Sequence, residues 1–465
     1  METFENVVSK VASVIWGPAT IIILLGAGIY LSFGTRFVQF RKLGDAVKSL
    51  FTKGDDADGD ITPFQALMTS LAATIGIGNI VGVAAAITTG GPGAMLWMWV
   101  SGAFGGATKF SEVVLSMKYR VTNEKGEKSG GPMYYIERGM KERFNKNFKW
   151  LGGAFAIFTI IASFGIGNMT QANSVSDTLN LTFGLNPAIT GGVIAILTAL
   201  VVIGGIQGIG KITEKLVPAM ALLYLGGATV AVLMNVKAIP AVFGLIFSTA
   251  FTGKAVGGGL LGTVIRIGMA RGMFSNEAGL GSAPIAHAAS QNKDPVNEGL
   301  IASLGVFLVT MIVCTLTGLV ILTSGLVTMS ETGIMVVQDG LEGAALTTAA
   351  FNALLPGIGG YIITLGIIFF AFSTIISWYY YGCKCVEYIS NQKFVKYYTW
   401  LWVALTFVGA TIPLELVWNL SDVFNGLMAL PNLIGVLALS PLIFQMTREY
   451  DQAHKLPSRQ QAYES

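Results

Sequence analysis

Charged residues are scarce in this sequence, and histidine and cysteine are scarcer still. Only 12% of its 465 residues are Asp, Glu, Lys or Arg, whereas a typical soluble domain carries roughly 25%. Hydrophobic residues make up 53% of the chain, and the mean hydropathy is +0.64. This composition indicates a polytopic membrane protein built from α-helices.

The rare residue types exclude several classes of function. Two histidines, His287 and His454, supply neither a set of zinc ligands nor a Ser-His-Asp arrangement. Three cysteines, Cys314, Cys383 and Cys385, cannot form the disulfide framework of a secreted domain. The basic residues lie in short loops without interleaved aromatics, which argues against nucleic-acid binding. We therefore expect no enzyme, no cofactor and no nucleic-acid partner.

Uncharged runs near the roughly 18 to 20 residues that cross a bilayer mark the expected spans. We predict eleven, at about 12–34, 62–90, 92–118, 151–180, 187–208, 214–236, 256–287, 298–326, 357–383, 397–414 and 425–447. The first run is too long, and its preceding segment too weakly basic, for a signal peptide. Two shorter segments, Ile239–Phe251 and Gly340–Leu355, are predicted to be re-entrant or surface helices.

The basic residues predict the orientation of these spans. With eleven crossings, one set of loops holds 23 of the 29 basic residues, nine of them between Lys118 and Lys149. The opposite set holds only Lys10, Lys237 and Lys254. Because cytoplasmic loops are enriched in Lys and Arg, we expect a plasma-membrane protein with its N-terminus outside and its C-terminus in the cytoplasm.

Two spans are interrupted by small and polar residues at membrane depth. Residues 70–82 read SLAATIGIGNIVG, and residues 275–284, five crossings later, read SNEAGLGSAP. A half with five crossings, an odd number, ends on the opposite side of the membrane from its start. Two such halves in series therefore enter the membrane from opposite sides, as in an inverted repeat. We predict one transporter domain over 1–465, with an extra helix at 12–34 and repeats at 62–236 and 256–447.

A break in a membrane helix leaves backbone groups that need partners. Amides around Gly76, Gly78 and Asn79 are suited to a carboxylate, and carbonyls around Ala72 and Ile75 are suited to a cation. Thr74 and Asn79 add oxygens of the type that sodium prefers. An alternative for Asn79 is an interhelical hydrogen bond without a ligand.

Other polar residues lie near these breaks. Glu277 follows Asn276 at membrane depth, where it can bind a cation, accept a proton or pair with Arg271. The segment FFAFSTIISW at 369–378 offers the hydroxyls of Ser373, Thr374 and Ser377, which either bond to the preceding turn or complete a sodium site with the first break. Five residues near mid-depth of span 151–180 suit a cavity wall: Phe164, Gly165, Asn168, Thr170 and Gln171.

Four strings carry a family resemblance that covers nearly the whole chain. They are ATIGIGNIVG at 73–82, GGPGAMLWMWV at 90–100, SGGPMYYI at 129–136 and RGMFSNEAGLGSAP at 271–284. Together they closely resemble the alanine or glycine:cation symporter family. The resemblance implies the inverted-repeat fold of the amino acid, polyamine and organocation transporters, with an extra N-terminal helix.

The resemblance also implies sodium-coupled uptake of alanine or glycine by alternating access, within membrane lipid. The substrate carboxylate would lie on Thr74, Gly76, Gly78 and Asn79, and its ammonium would face Phe274 to Asn276. Phe164, Gly165 and Trp378 would line the pocket. For Phe274 there are two interpretations, a gate beside the substrate and a packing residue. Sodium would be bound by Ala72, Ile75, Ser373 and Thr374. The competing interpretation is a proton-coupled amino-acid transporter, with Glu277 as the proton carrier.

Overall fold

The computed structural model describes residues 2–51, 59–251, 259–329, 335–412 and 415–454, and this part of the chain is mostly helical. The helices of the first half are α1 Glu2–Ile15, α2 Pro18–Gly34, α3 Val38–Arg41, α4 Leu43–Leu50, α5 Pro63–Thr74, α6 Gly78–Gly90, α7 Ala94–Tyr119, α8 Pro132–Tyr134, α9 Met140–Phe144, α10 Lys149–Phe164, α11 Thr170–Phe183, α12 Pro187–Val202, α13 Gly205–Met234 and α14 Ile239–Ala250. Those of the second half are α15 Gly259–Asn276, α16 Ala283–His287, α17 Pro295–Val306, α18 Thr315–Thr323, α19 Gly343–Leu354, α20 Gly359–Ser390, α21 Val395–Thr411, α22 Glu415–Ala438 and α23 Ser440–Ala453.

In the described residues, strands form only two short antiparallel pairs. They pair β1 Val121–Thr122 with β2 Lys128–Ser129, and β3 Val327–Met329 with β4 Met335–Val337. Three π-helical segments, Tyr135–Gly139, Gly165–Met169 and Phe307–Cys314, continue into α-helices.

Helices that are long and apolar enough to cross a membrane occur along much of the described chain. Six helical segments there are long and apolar enough to cross a membrane, and α5 with α6, bent by 44° at their junction, makes a seventh if the pair is one span. The chain is therefore a multi-pass membrane protein. The count of eleven crossings and the inverted repeat remain predictions.

Several predicted bounds need correction. Span 425–447 is misplaced, because α22 begins at Glu415 and the chain turns at Leu439 before α23. The polar residues Asp422 and Asn425 lower the local hydropathy, so the sequence did not predict the first part of this helix. Asn425 is nevertheless buried inside the protein. Span 12–34 lies within one membrane-spanning segment, Val7–Gly34, which a turn at Trp16 and Gly17 divides into α1 and α2.

The two short segments predicted at Ile239–Phe251 and Gly340–Leu355 contain the helices α14 and α19. Parts of other predictions lie outside the described residues: the start of span 256–287, the end of span 397–414, and the basic residues Lys53, Lys254, Lys455 and Arg459.

Local sequence sets the start of the first broken helix. Thr62 caps α5, accepting a hydrogen bond from the Gln65 amide at 3.1 Å, while the Thr62 amide donates to the Gln65 side chain at 3.1 Å. Pro63 occupies the first turn, where a missing amide hydrogen has no cost. The helix stops at Thr74, and the non-helical ψ of 78° at Ile75 separates it from α6.

The second break lies between α15 and α16. Glu277, Gly279 and Gly281 all have positive φ angles, of 55°, 90° and 79°. Glycine adopts this conformation at no steric cost, whereas a residue such as Glu277 is strained by about 1–3 kcal/mol. The sequence SNEAGLGSAP therefore forms a defined turn with three residues in the left-handed region, and the helix ends there.

The segment before α5 is fastened to the segment after α16 by main-chain hydrogen bonds. The Asp60 and Ile61 amides donate to the Ala289 carbonyl at 2.8 and 3.1 Å, and the Gln291 amide donates to the Ile61 carbonyl at 2.8 Å. Arg120 donates to the carbonyls of Ala288 and Ser290 at 3.0 and 2.7 Å. We call this arrangement the gate latch, because it ties together the ends of both broken helices.

Asp60 adds a side-chain contact to the latch. Its carboxylate accepts a hydrogen bond from the Lys128 amide at 2.8 Å. Partial burial raises the pKa of the Asp60 carboxyl above its ordinary value, and the hydrogen bond from Lys128 opposes that rise.

Candidate functional site

A small buried cavity of about 30 Å³ lies where the two breaks meet. Five of the predicted substrate residues line it, together with the predicted sodium ligand Thr374. The five are Thr74, Gly76, Gly78, Phe274 and Trp378. We call it the central cavity. Its size leaves no room for a bulky side chain without rearrangement.

The first break presents unpaired amides to the central cavity. No protein acceptor pairs with the amides of Gly76, Ile77 and Gly78 within the described residues. Buried amides without a partner are rare in proteins, and amides at a helix N-terminus bind anions well. The N-terminus of α6 is therefore a ready carboxylate site.

Glycine is required here by close approach. A Cβ at Gly76 would lie 2.8 Å from Thr374 Oγ1, and one at Gly78 would lie 3.2 Å from the Phe274 ring. A side chain at either position would fill the cavity and cover the amides.

The predicted sodium ligands converge on the end of α5. The Ala72 carbonyl lies 3.0 Å from Thr374 Oγ1 and 3.3 Å from Ser373 Oγ, so α20 meets the first break at the predicted face. Both hydroxyls also donate to the Phe370 carbonyl at 2.9 Å. The Ile75 carbonyl follows at the break and accepts no protein hydrogen bond within the described residues. Two carbonyls and two hydroxyls thus supply hard oxygens of the kind suited to a small cation.

Asn79 connects the two breaks instead of lining the central cavity. Its amide nitrogen donates to the Thr74 carbonyl at 2.7 Å, and its oxygen accepts a hydrogen bond from the Ser275 hydroxyl. The side chain is fully buried. The geometry therefore supports the interhelical hydrogen bond that the sequence left open, and it gives Asn79 no direct contact with the cavity.

Protein groups pair with several polar groups of the second break. Lys109 donates to the Asn276 carbonyl at 2.7 Å, so an ammonium already caps the end of α15. The Asn276 side chain accepts from the Ala278 amide at 3.0 Å and donates to Thr310 at 3.2 Å. Asn276 is thus held within the protein, and it does not line the central cavity.

Glu277 does line the central cavity, and it does not pair with Arg271. Its carboxylate accepts a hydrogen bond from Ser282 at 2.6 Å. Arg271 lines a separate cavity beyond Phe274.

Phe164 and Gly165 also lie away from the central cavity. The Phe164 ring packs on Tyr398 and Trp402, with ring centroids 5.1 and 5.9 Å apart. At Gly165 an added Cβ would lie 1.6 Å from Ser421 Oγ, so glycine here permits α22 to approach. Both residues shape the wall through packing rather than by direct contact.

Gln171 and Asn425 are among the cavity residues outside the predicted binding set. Gln171 and Asn425 each line the cavity with a buried side-chain oxygen that has no hydrogen-bond partner in the described structure. The sequence placed both Gln171 and Asn168 on a cavity wall. The π-helical segment Gly165–Met169 precedes Gln171, and Asn168 instead binds the Trp402 carbonyl at 2.9 Å. Nothing in the polar residues of α22 marked Asn425 as a site residue.

Comparison with known sequences identifies the family. A profile of the sodium:alanine symporter family matches residues 1–464. This chain belongs to the sodium:alanine symporter family. The sodium/alanine symporter AgcS of Methanococcus maripaludis is 49% identical over 454 residues, which cover 97% of this chain and 98% of that protein.

Other family relatives are named for different substrates or ions. The probable sodium/glutamine symporter GlnT of Bacillus subtilis is 35% identical, with 98% of this chain and 92% of that protein covered. The putative sodium/proton-dependent alanine carrier YrbD of the same organism is also 35% identical, with 96% and 93% covered.

A solved structure shares the fold at low sequence identity. It is a Na⁺-coupled sialic acid symporter in a substrate-bound outward-open state, with a TM-score of 0.51 and 12% identity. The alignment covers 87% of this chain and 82% of that one. The likeness supports a transporter fold for this chain.

Proposed function

We propose that this protein is a secondary active symporter that couples sodium influx to uptake of a small neutral amino acid, alanine or glycine. The unpaired amides of Gly76, Ile77 and Gly78, adjacent to the oxygen cluster of Ala72, Ser373 and Thr374, carry the proposal. An anion site and a cation site so placed bind their ligands cooperatively, since each ligand's charge stabilises the other. The small central cavity favours a hydrogen or methyl side chain.

The proposed substrate pose differs from the family-based expectation at the ammonium and at Asn79. The carboxylate binds the amides of the first break, with Thr74 at the edge of the cavity. The ammonium binds the free oxygens of Gln171 and Asn425, because the Asn276 carbonyl is already bound to Lys109. Phe274 and Trp378 close the cavity over the substrate. Asn79 holds the first break against Ser275 and so positions its amides.

Sodium binds Ala72, Ile75, Ser373 and Thr374 in this proposal. The neutral oxygen cluster favours sodium over proton coupling, because none of these four groups exchanges a proton near neutral pH. Alternating access then proceeds between two inverted repeats, 62–236 and 256–447, in an eleven-span protein whose basic loops face the cytoplasm.

Uptake by purified protein in liposomes tests the proposal. Radiolabelled alanine is offered with an inward sodium gradient, with a proton gradient, or with neither. We expect accumulation with the sodium gradient alone, and competition by unlabelled glycine. Equal uptake under all three conditions would contradict a symporter, and dependence on the proton gradient alone would transfer the coupling role to Glu277.

A further inference from the structure

A second cavity, of about 280 Å³, lies on the other side of Phe274 from the central cavity. Phe274 lines both of them, so its ring is the shared wall. The polar groups of this second cavity are Arg266, Arg271, Asp422, Ser13 and Thr89. We call it the arginine cavity.

The N-terminal helix α1 forms part of its wall. Trp16, just after α1, donates a hydrogen bond from its indole nitrogen to the Asp422 carbonyl at 2.9 Å. On the neighbouring turn, a Cβ at Gly426 would lie 2.3 Å from Ile15, so glycine allows α1 to pack directly against α22. The helix added before the first repeat therefore completes a cavity directly outside the central one.

The charges around the arginine cavity do not neutralise one another by direct contact. Within the described residues, Arg266, Arg271 and the Asp422 carboxylate make no ion pair and no side-chain hydrogen bond. The cavity thus presents two cationic groups and one anionic group without partners. A molecule that carries a carboxylate and an ammonium matches this arrangement, since guanidinium groups bind carboxylates in a bidentate manner and a carboxylate accepts ammonium hydrogens.

We propose that the arginine cavity is a second, weaker binding site for the transported amino acid. Its carboxylate binds Arg271, assisted by Arg266, and its ammonium binds Asp422. The inference rests on the proposed function for the identity of the ligand. A zwitterion held here lies against the outer side of Phe274, so displacement of that ring admits it to the central cavity.

Equilibrium binding of radiolabelled alanine to purified protein in sodium gluconate tests the proposal. We expect two components in the wild-type protein, a tight one that requires sodium and a weak one. Arg271→Gln and Asp422→Asn should each weaken the weak component about tenfold or more, as expected for a lost charge-assisted hydrogen bond. The tight component should persist in both variants, which shows that they are folded. Lys237→Gln removes an exposed charge elsewhere and should alter neither component.

Competition distinguishes a zwitterion site from a simple anion site. Lactate, which lacks the ammonium, and ethylamine, which lacks the carboxylate, should displace the weak component far less well than glycine does. A single component in the wild-type protein would overturn the proposal. So would equal displacement by chloride or lactate, or loss of the tight component in the two variants. Absence of the tight, sodium-dependent component from the wild-type protein would instead contradict the proposed function.

Discussion

At the scale of single residues, Thr374 has the most consequential position. Its hydroxyl lies 3.0 Å from the Ala72 carbonyl, and it also lines the central cavity beside Gly76. One oxygen therefore lies between the proposed sodium ligands and the proposed substrate. This position gives a simple physical route for coupling, since each ligand affects the orientation of a group that the other needs.

Replacing Thr374 by Val should raise the sodium concentration for half-maximal alanine uptake about tenfold or more. Valine retains the shape of threonine but removes an oxygen ligand and leaves the Ala72 carbonyl with one partner fewer. Thr374→Ser retains the hydroxyl and is the matched control, with an expected change of less than about threefold. Sodium titrations of initial uptake rates in liposomes provide the measurement. Indistinguishable sodium dependence in the Val variant would remove Thr374 from the ion site.

At the scale of elements, the two broken helices are not equivalent. The first exposes unpaired amides to the central cavity, whereas the second is held by Lys109, Thr310 and Ser282. The second break is also fixed by its left-handed residues. In the proposed site it serves as a support, and the ligand groups come from the first break, from α20 and from Gln171 and Asn425.

Gly281→Ala tests the rigidity of the second break. The position has a φ of 79°, and an added Cβ would lie 2.6 Å from Pro132 and 2.9 Å from Asn432. We expect destabilisation by about 1–3 kcal/mol, seen as a lower Tm of the purified protein. Gly262→Ala is the control. Gly262 lies on α15, the helix that precedes the second break, and an added Cβ there would have no neighbouring atom within 4 Å. Equal Tm values for the two variants would show that the turn tolerates a side chain.

At the scale of the whole molecule, different contacts are found at the two ends of the broken helices. The gate latch joins Asp60 and Ile61 to Ala289 at one end, while the arginine cavity lies beyond Phe274 at the other. The latch end is therefore held by main-chain hydrogen bonds and by the side chain of Arg120. At the opposite end, the ring of Phe274 separates the two cavities.

Arg120→Gln should loosen the latch and favour the conformation open at that end. Loss of its hydrogen bonds to the Ala288 and Ser290 carbonyls removes charged contacts, so we expect amide hydrogen exchange at residues 59–67 to accelerate about tenfold. Mass-spectrometric exchange on the purified protein measures this. The Arg143→Gln variant is the control, because Arg143 is exposed and its guanidinium lies over the Phe144 ring, away from the latch. Unchanged exchange in Arg120→Gln would show that the latch does not depend on this side chain.

Much of the site was predictable because its chemistry is local. Gly76 and Gly78 indicate a break in the helix. Such a break leaves backbone amides and carbonyls without helical partners, whatever the surrounding fold. The hydroxyls of Ser373 and Thr374 were recognisable as ligands only on the condition that their helix face met that break. Phe164 was placed on a cavity wall from its depth in span 151–180, and the family resemblance assigned both Phe164 and Asn276 to the substrate. Their contacts depend on neighbours far away in the chain.

The sequence by itself determined that this is a multi-pass helical membrane protein with two interrupted helices, because composition and helix-breaking residues act locally. Only the tertiary structure decided which polar groups remain free. Lys109 is 167 residues from Asn276 in the chain, and it binds the Asn276 carbonyl at the second break. No partner comes to the amides of Gly76 to Gly78 in the described structure. A polar residue becomes a ligand when folding leaves it unpaired beside a cavity, and that depends on packing between distant segments.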